Sequence, residues 1–531
     1  MIYRITIILY LFLFSFSSFA QPGDPSQVVE ILPGTQRQIY RKLPDGTELQ
    51  ILAGTVRLKQ GNSLFYCDSC VINSNANVFE AFGNVHINDD DTANLYAGYL
   101  RYLTDKKYAY LKRNVKLTDG HGTLTTNELE YDLVSSIGTY KNGGRVVNKK
   151  SVITSKEGIY YADIRDVYFK KNVELNDPAY NLKTDSILYN TETQVARFIA
   201  ETFIKDSSGR TIRTREGYYD IKGGRSEFSQ RTRIIDRSMI IEGNEIINDD
   251  VSGTVQIRGN GVLIDTAQGV NILANEIFAN KRKAAYMATK KPLMIIKQEK
   301  DSIYITADTL FSARLSDLYE TPLPVSNTKP TKKASTIKSK TNDSTDRYFE
   351  AFRNVRIFSD SIQAISDSMF YSFKDSVFRL FDDPIVWSNK SQLTGDTIYL
   401  FIKNKKADRV RVFENSFLIS EQEAGVFNQI KATRMDGFFH EGIIDSLRAK
   451  GSAETIYFIQ DEDSAYTGIN QTSSDALDVY FQKGDLTKIV LRSAVKGTLW
   501  PITQKTKGEM RLNGFQWRET LRPKTKYELF E

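Results

Sequence analysis

The residue types able to do chemistry are few in this sequence, and their spacing gives them little to do. Only three histidines occur, His86, His121 and His440, with no mutual spacing that would build a catalytic triad or a metal cage. The two cysteines, Cys67 and Cys70, stand in LFYCDSC. A C-x-x-C pair can serve redox chemistry or half of a metal site, but no second pair accompanies it. On a strand, positions i and i+3 point to opposite faces, which disfavours a bond between the two thiols. Structural thiols, a strained local disulfide and a metal site are the readings left open. Acidic runs such as Asn88-Asp89-Asp90-Asp91 recur without the ordered spacing of calcium ligands and read as solvated turns. Asp185 and Asp308 sit where a short polar side chain caps a turn. Gly143-Gly144 and Gly223-Gly224 have no following helix to hold a phosphate. Neither a cofactor nor a metal is expected. A carboxylate pair for glycan cleavage stays open, because any two of 65 acidic residues could meet.

The information lies instead in repetition. Phe79–Ile87 reads FEAFGNVHI and Phe349–Ile357 reads FEAFRNVRI, seven matches in nine across 270 residues. Between them the phrase returns at Asn114-Val115 and Asn172-Val173, with looser copies at spacings mostly of about 28 to 32 residues. About 13 residues before such positions stands an apolar-x-Tyr pair: Leu129/Tyr131, Ile187/Tyr189, Met369/Tyr371. A polar turn separates the two halves, so a unit of about 30 residues reads as strand, turn, strand, turn. Each unit is expected to add one strand to each of two sheets.

Within the strands the period is two. Phe79, Ala81, Val85 and Ile87 share one face, while Glu80, Phe82, Asn84 and His86 share the other. The same apolar positions in other copies are Leu111, Val115 and Leu117, then Phe169, Val173 and Leu175, then Val355 and Ile357. Half-buried antiparallel strands look like this. Residues 274–295 fit the strand template better than a short helix. A single strand pair cannot bury its apolar face, but stacked pairs can. The interior is then either filled by its own side chains or left partly open along its length.

The composition agrees with an all-β chain: 28 Tyr, 30 Phe and only 12 Pro in 531 residues. The net charge of +6 is spread among 136 charged side chains, a pattern of solvated faces that points to no nucleic-acid partner. Residues 1–20, MIYRITIILYLFLFSFSSFA, read as a signal peptide cut before Gln21, with no cysteine at the cut for lipid attachment. No later run is apolar enough to cross a membrane as a helix. The repeats divide into a block at 28–320 and a second at 347–500. Between them lies a Pro-, Ser-, Thr- and Lys-rich linker at 321–346, and a charged tail follows at 501–531.

Several stretches together resemble a known family. They are Leu64–Ser69 (LFYCDS), Glu80–Ile87 (EAFGNVHI), the run Arg113–Asp132, Tyr304–Phe311 (YITADTLF) and Gly514–Pro523. They resemble the OstA-like proteins of Bacteroidetes type, relatives of LptA and of the N-terminal domain of LptD in lipopolysaccharide transport. Cys70 departs from the pattern, where a small residue such as Ala is expected, and the chain is longer than one LptA-like unit. The resemblance implies an elongated, twisted antiparallel β-jelly-roll, or β-taco, whose two sheets form a V. It implies a non-catalytic periplasmic bridge that holds the acyl chains of lipopolysaccharide between the sheets. The twelve apolar residues named above would line that groove. Partners would be other jelly-roll proteins of the Lpt type, joined edge to edge. A closed structural scaffold or surface adhesin is the alternative, and a glycan-acting β-helix enzyme a third reading.

Overall fold

The repeated Asn-Val phrase marks a corner in the backbone. In the computed structural model Gly83 and Asn84 both take left-handed φ values, +70° and +43°. So do Arg113-Asn114, Lys171-Asn172, Arg353-Asn354 and Glu414-Asn415. Asparagine tolerates this region better than most residues. At each of these pairs the strand slips in register against its neighbour, between Phe82 and Val85, Lys112 and Val115, Lys170 and Val173, Phe352 and Val355, and Phe413 and Ser416. Paired extra residues of this kind bend a strand.

The structure describes residues 28–89, 93–297, 302–318, 345–403, 406–441, 443–482, 485–505 and 510–529. The signal peptide expected at 1–20 and residues 321–344 of the expected linker lie outside them. The described residues form 38 strands and three short 3-10 turns, with antiparallel pairing. This is the all-β architecture that the period-two pattern predicts, and 274–295 is indeed strand. Contacts divide the chain into two compact units, Met1–Thr202 and Phe203–Glu531.

In the N-terminal unit, β1 (Glu30–Ile31) and β2 (Arg37–Lys42) pair with β3 (Glu48–Gln60). A meander follows: β4 (Ser63–Asn73), β5 (Val78–Asp89), β6 (Ala93–Leu103), β7 (Tyr108–Thr118) and β8 (Thr123–Asp132). Each long strand serves two half-sheets, one on either side of its corner. Val78–Phe82 of β5 pairs with Tyr99–Leu103 of β6, and Val85–Asp89 pairs with Ala93–Ala97. Gln60, at the end of β3 in one half-sheet, would stand roughly 30 Å from Tyr102 in the other on a flat sheet. Their side chains are hydrogen-bonded at 2.7 Å. The sheet must therefore fold over at the corners, which brings the two strand ends together at a mouth. Each repeat contributes two bent strands to each half-sheet, not the one expected from the sequence. It advances the stack by roughly 10 Å.

The corners also explain Asp68, Asp308 and Asp396. Each accepts hydrogen bonds from the Asn of a neighbouring corner, Asn84 at 2.9 Å, Asn354 at 3.1 Å and Asn415 at 3.1 Å. Asp308, read from sequence as a turn cap, fastens adjacent corners instead.

The C-terminal unit repeats this construction in strands such as Arg225–Asp236, Met239–Asp249 and Thr254–Asp265. Towards its end come four strands of 15 to 18 residues between Lys406 and Gln482, followed by Asp485–Arg492 and Lys496–Pro501. The segment read as a charged tail lies against these strands. Met510 and Leu512 join a core with Phe417, Ile419, Phe427, Ile456, Phe458 and Ile469, and Phe515 and Trp517 pack on it. Ile419 is paired with Gln429 and Gln429 with Ile456, so these residues share one face of the sheet. Leu418 and Ile430, paired on the opposite face, are also buried. This part of the sheet is thus apolar on both sides, and the C-terminal segment covers one of them.

Candidate functional site

All twelve apolar positions singled out in the sequence are buried, none more than 8% exposed. Ten lie in the N-terminal unit: Phe79, Ala81, Val85, Ile87, Leu111, Val115, Leu117, Phe169, Val173 and Leu175. Val355 and Ile357 lie in the C-terminal unit. The alternation that selected them survives each corner, because residues on both sides of the left-handed pair face inward. In β5, Phe79 and Ala81 precede the corner and Val85 and Ile87 follow it, all buried, while Phe82 and Asn84 are exposed.

The same geometry revises the reading of the cysteines. Cys67 is paired with Val56 before the corner of β4, and Cys70 with Leu52 and Ala81 after it. Both thiols therefore face the interior, despite the i, i+3 spacing. Both are free and buried. The neighbouring Cys67 thiol and burial together push the Cys70 thiol far above its ordinary range. Among the described residues no group of three His, Cys, Asp or Glu is placed to hold a metal ion. His86 stacks between Tyr66 and Tyr96, with ring centroids at 5.3 and 4.4 Å. His121 takes a hydrogen bond from Arg165 at 2.8 Å.

Sequence reasoning missed the polar row that closes the mouth. Tyr102 donates its hydroxyl to Gln60 at 2.7 Å, Tyr131 to Asp89 at 3.0 Å and Tyr160 to Asp119 at 2.8 Å. Each bond joins the two half-sheets across 41 or 42 residues of chain. The rings sit inside, where Tyr102 packs on Phe65 and Phe79 at 4.8 and 4.9 Å. Asp89, read from sequence as part of a solvated turn, is only 4% exposed and also accepts from Ser63 at 2.9 Å. Burial alone would raise the Asp119 carboxyl. The backbone N–H groups of Gly122 and His121 and the hydroxyls of Thr191 and Tyr160 outweigh burial and hold it below the usual carboxylate range. At the next step Asn148 donates to the Thr191 carbonyl at 2.6 Å and lies beside the buried Tyr189 hydroxyl. One signal for this row was in the sequence: Tyr102, Tyr131, Tyr160 and Tyr189 recur every 29 residues.

Beside Tyr160 the interior is packed. The cavity lined by Leu117, Leu124, Val146, Tyr160, Val167 and Thr191 measures about 10 Å³. That is no more than one water needs. At this place the interior is filled by its own side chains, one of the two arrangements that the sequence left open.

No curated protein sequence matches this chain. Residues 34–185 match the model of a family described as OstA-like protein, a span that covers β3 through β8, the ten interior positions and the first three bridges of the mouth except Thr191. That match makes residues 34–185 similar to the OstA-like family.

Proposed function

We propose that this is a non-catalytic periplasmic protein that binds lipopolysaccharide by its acyl chains, between the two half-sheets of the N-terminal unit, on the way to the outer membrane. One observation carries the reading: the apolar interior from Val56 to Leu175 falls within the segment that matches the OstA-like family. An acyl chain brought from water into such a space is stabilised by about 0.8 kcal/mol per methylene. A wall of Val, Leu, Ile and Phe holds it without specific bonds and so lets it slide. Edge strands at the end of a stack would take the matching edge of another jelly-roll protein. The test is to place a photo-crosslinkable side chain at Val85, Val115 or Val173 and irradiate cells that make the protein. Lipopolysaccharide adducts are expected at all three. Their absence from folded protein, with no adducts at other interior positions either, rejects the reading.

A second reading is a closed structural scaffold. The packed interior favours it, since lipid must displace side-chain contacts and open the mouth before it can enter. The same crosslinking decides between the two, because a scaffold yields no lipid adduct at any interior position.

A further inference from the structure

The half-sheets of the N-terminal unit are joined in two different ways. At the corners the joint is covalent: every long strand runs through it, and ladder hydrogen bonds continue on both sides. At the mouth the joint consists of side chains. We propose that the row Gln60–Tyr102, Asp89–Tyr131 and Asp119–Tyr160 is a lateral inlet for acyl chains. An amphiphile would pass its tails sideways into the interior when the three tyrosines release their partners, and leave its polar head at the rim. The proposal rests on the lipid reading given above.

Three features carry it. The first is residue choice. Tyrosine pairs an apolar ring with a polar tip, so the released side chain keeps its ring among the apolar residues and turns its hydroxyl to water. A Phe at the same place could pack but not fasten, and a Ser could fasten but not pack. The second is the partners. Gln60, Asp89 and Asp119 stand at or just beyond strand ends, at the rim of the interior, where a freed carboxylate or carboxamide has only a short way to water. Deep in the interior the same groups would be left unsatisfied, and the joint would be permanent. The third is repetition. Steps 29 or 30 residues apart place one fastening per repeat, so the seam opens one step at a time rather than all at once.

The experiment uses the full chain and a polyene fatty acid of eighteen carbons, whose fluorescence rises in an apolar site, followed by stopped flow. The variant Y102F/Y131F/Y160F keeps every ring and removes the three hydroxyls. It is expected to take up the probe about ten-fold faster than the parent, with a similar final signal. The outward-facing variant Y110F is expected to match the parent. Where the triple variant does not fold, Tyr131→Phe alone is read the same way, with a smaller gain. In a second measurement Asp89→Cys and Tyr131→Cys are joined by a bis-maleimide, which is expected to stop uptake, while the unjoined pair remains fast. Equal uptake rates in parent and Phe variants, or undiminished uptake in the joined protein, overturn the lateral inlet and leave lipid binding standing. No uptake of probe and no lipopolysaccharide adduct in any of these proteins overturns the lipid reading, and the inlet falls with it.

Discussion

Gln429 and Leu512 are hydrogen-bonded across 83 residues of sequence. The carboxamide oxygen of Gln429 accepts the backbone N–H of Leu512 at 2.8 Å, while its nitrogen donates to the Met510 carbonyl at 3.0 Å. Gln392 repeats the arrangement, donating to the Gln516 carbonyl at 2.7 Å and accepting from the Arg518 N–H at 2.7 Å. Gln363 accepts from Arg522 at 2.6 and 2.8 Å. Three glutamines on one face of the sheet thus hold a segment that has no strand ladder of its own.

Gln429→Ala leaves a buried N–H and a buried carbonyl without partners, each costing about 1–3 kcal/mol. A loss of roughly 2 kcal/mol or more is expected in urea unfolding, with protease cutting within residues 510–529 at lower enzyme concentration. Unchanged stability and unchanged cutting would mean that the bonds of Gln429 do not hold the segment.

The corner makes a graded prediction at Asn84. Asn84→Ala keeps a Cβ in the left-handed region and loses the bond to Asp68, at an expected cost of about 1–2 kcal/mol. Asn84→Gly loses the same bond without the backbone penalty and is expected to cost less. The order Gly above Ala in melting temperature is the result that supports a strained corner, and the reverse order rejects it. Asn354, in the second copy of the phrase, is expected to behave alike.

The cysteine pair predicts slow chemistry. Both thiols are buried away from reagents, and Cys70 is held strongly in its protonated form. Labelling by a thiol reagent at pH 8 is expected to be far slower in the folded protein than in urea, where both react. Rapid labelling of the folded protein would place at least one thiol at the surface.

Stability is expected to fall at both ends of the pH range. Burial holds the Tyr140 and Tyr189 hydroxyls at about 12. A folded value above the unfolded one means that their contribution is complete below about pH 10 and is lost as pH rises towards 12. The opposite sign holds for Asp119 and Asp478. Asp119 is depressed as described above, and Asp478 is held low by Arg448 first and by Arg492 against burial. Their contribution is present above about pH 4 and fades as pH falls below it. In Asp119→Asn the acid limb of a stability-against-pH curve is expected to flatten, while the alkaline limb keeps its shape.

Much of the interior was legible because strand alternation exposes it directly. Phe79, Ala81, Val85 and Ile87 needed nothing beyond a period of two. The corner was visible as the Asn-Val phrase, but its meaning was not, since left-handed backbone leaves only a weak preference in residue type. That gap produced the misplacement of Cys67 and Cys70 and the count of one strand per repeat. The bridge residues were half visible. The tyrosines recur every 29 residues, but their partners are a glutamine, two aspartates and an asparagine, and a chemical role shared by different residue types leaves no repeated letter to find. The closing segment was hidden for a related reason: Gln392 and Gln429 read its backbone, which has no sequence.

The chain alone determined the strand period, the 30-residue repeat and the residues that must avoid water, because each depends on neighbours a few positions away. Which ends meet was decided in three dimensions. Tyr131 finds Asp89 only after several corners have folded the sheet on itself, and a bond formed by that closure has no local cause to be read from its two residues.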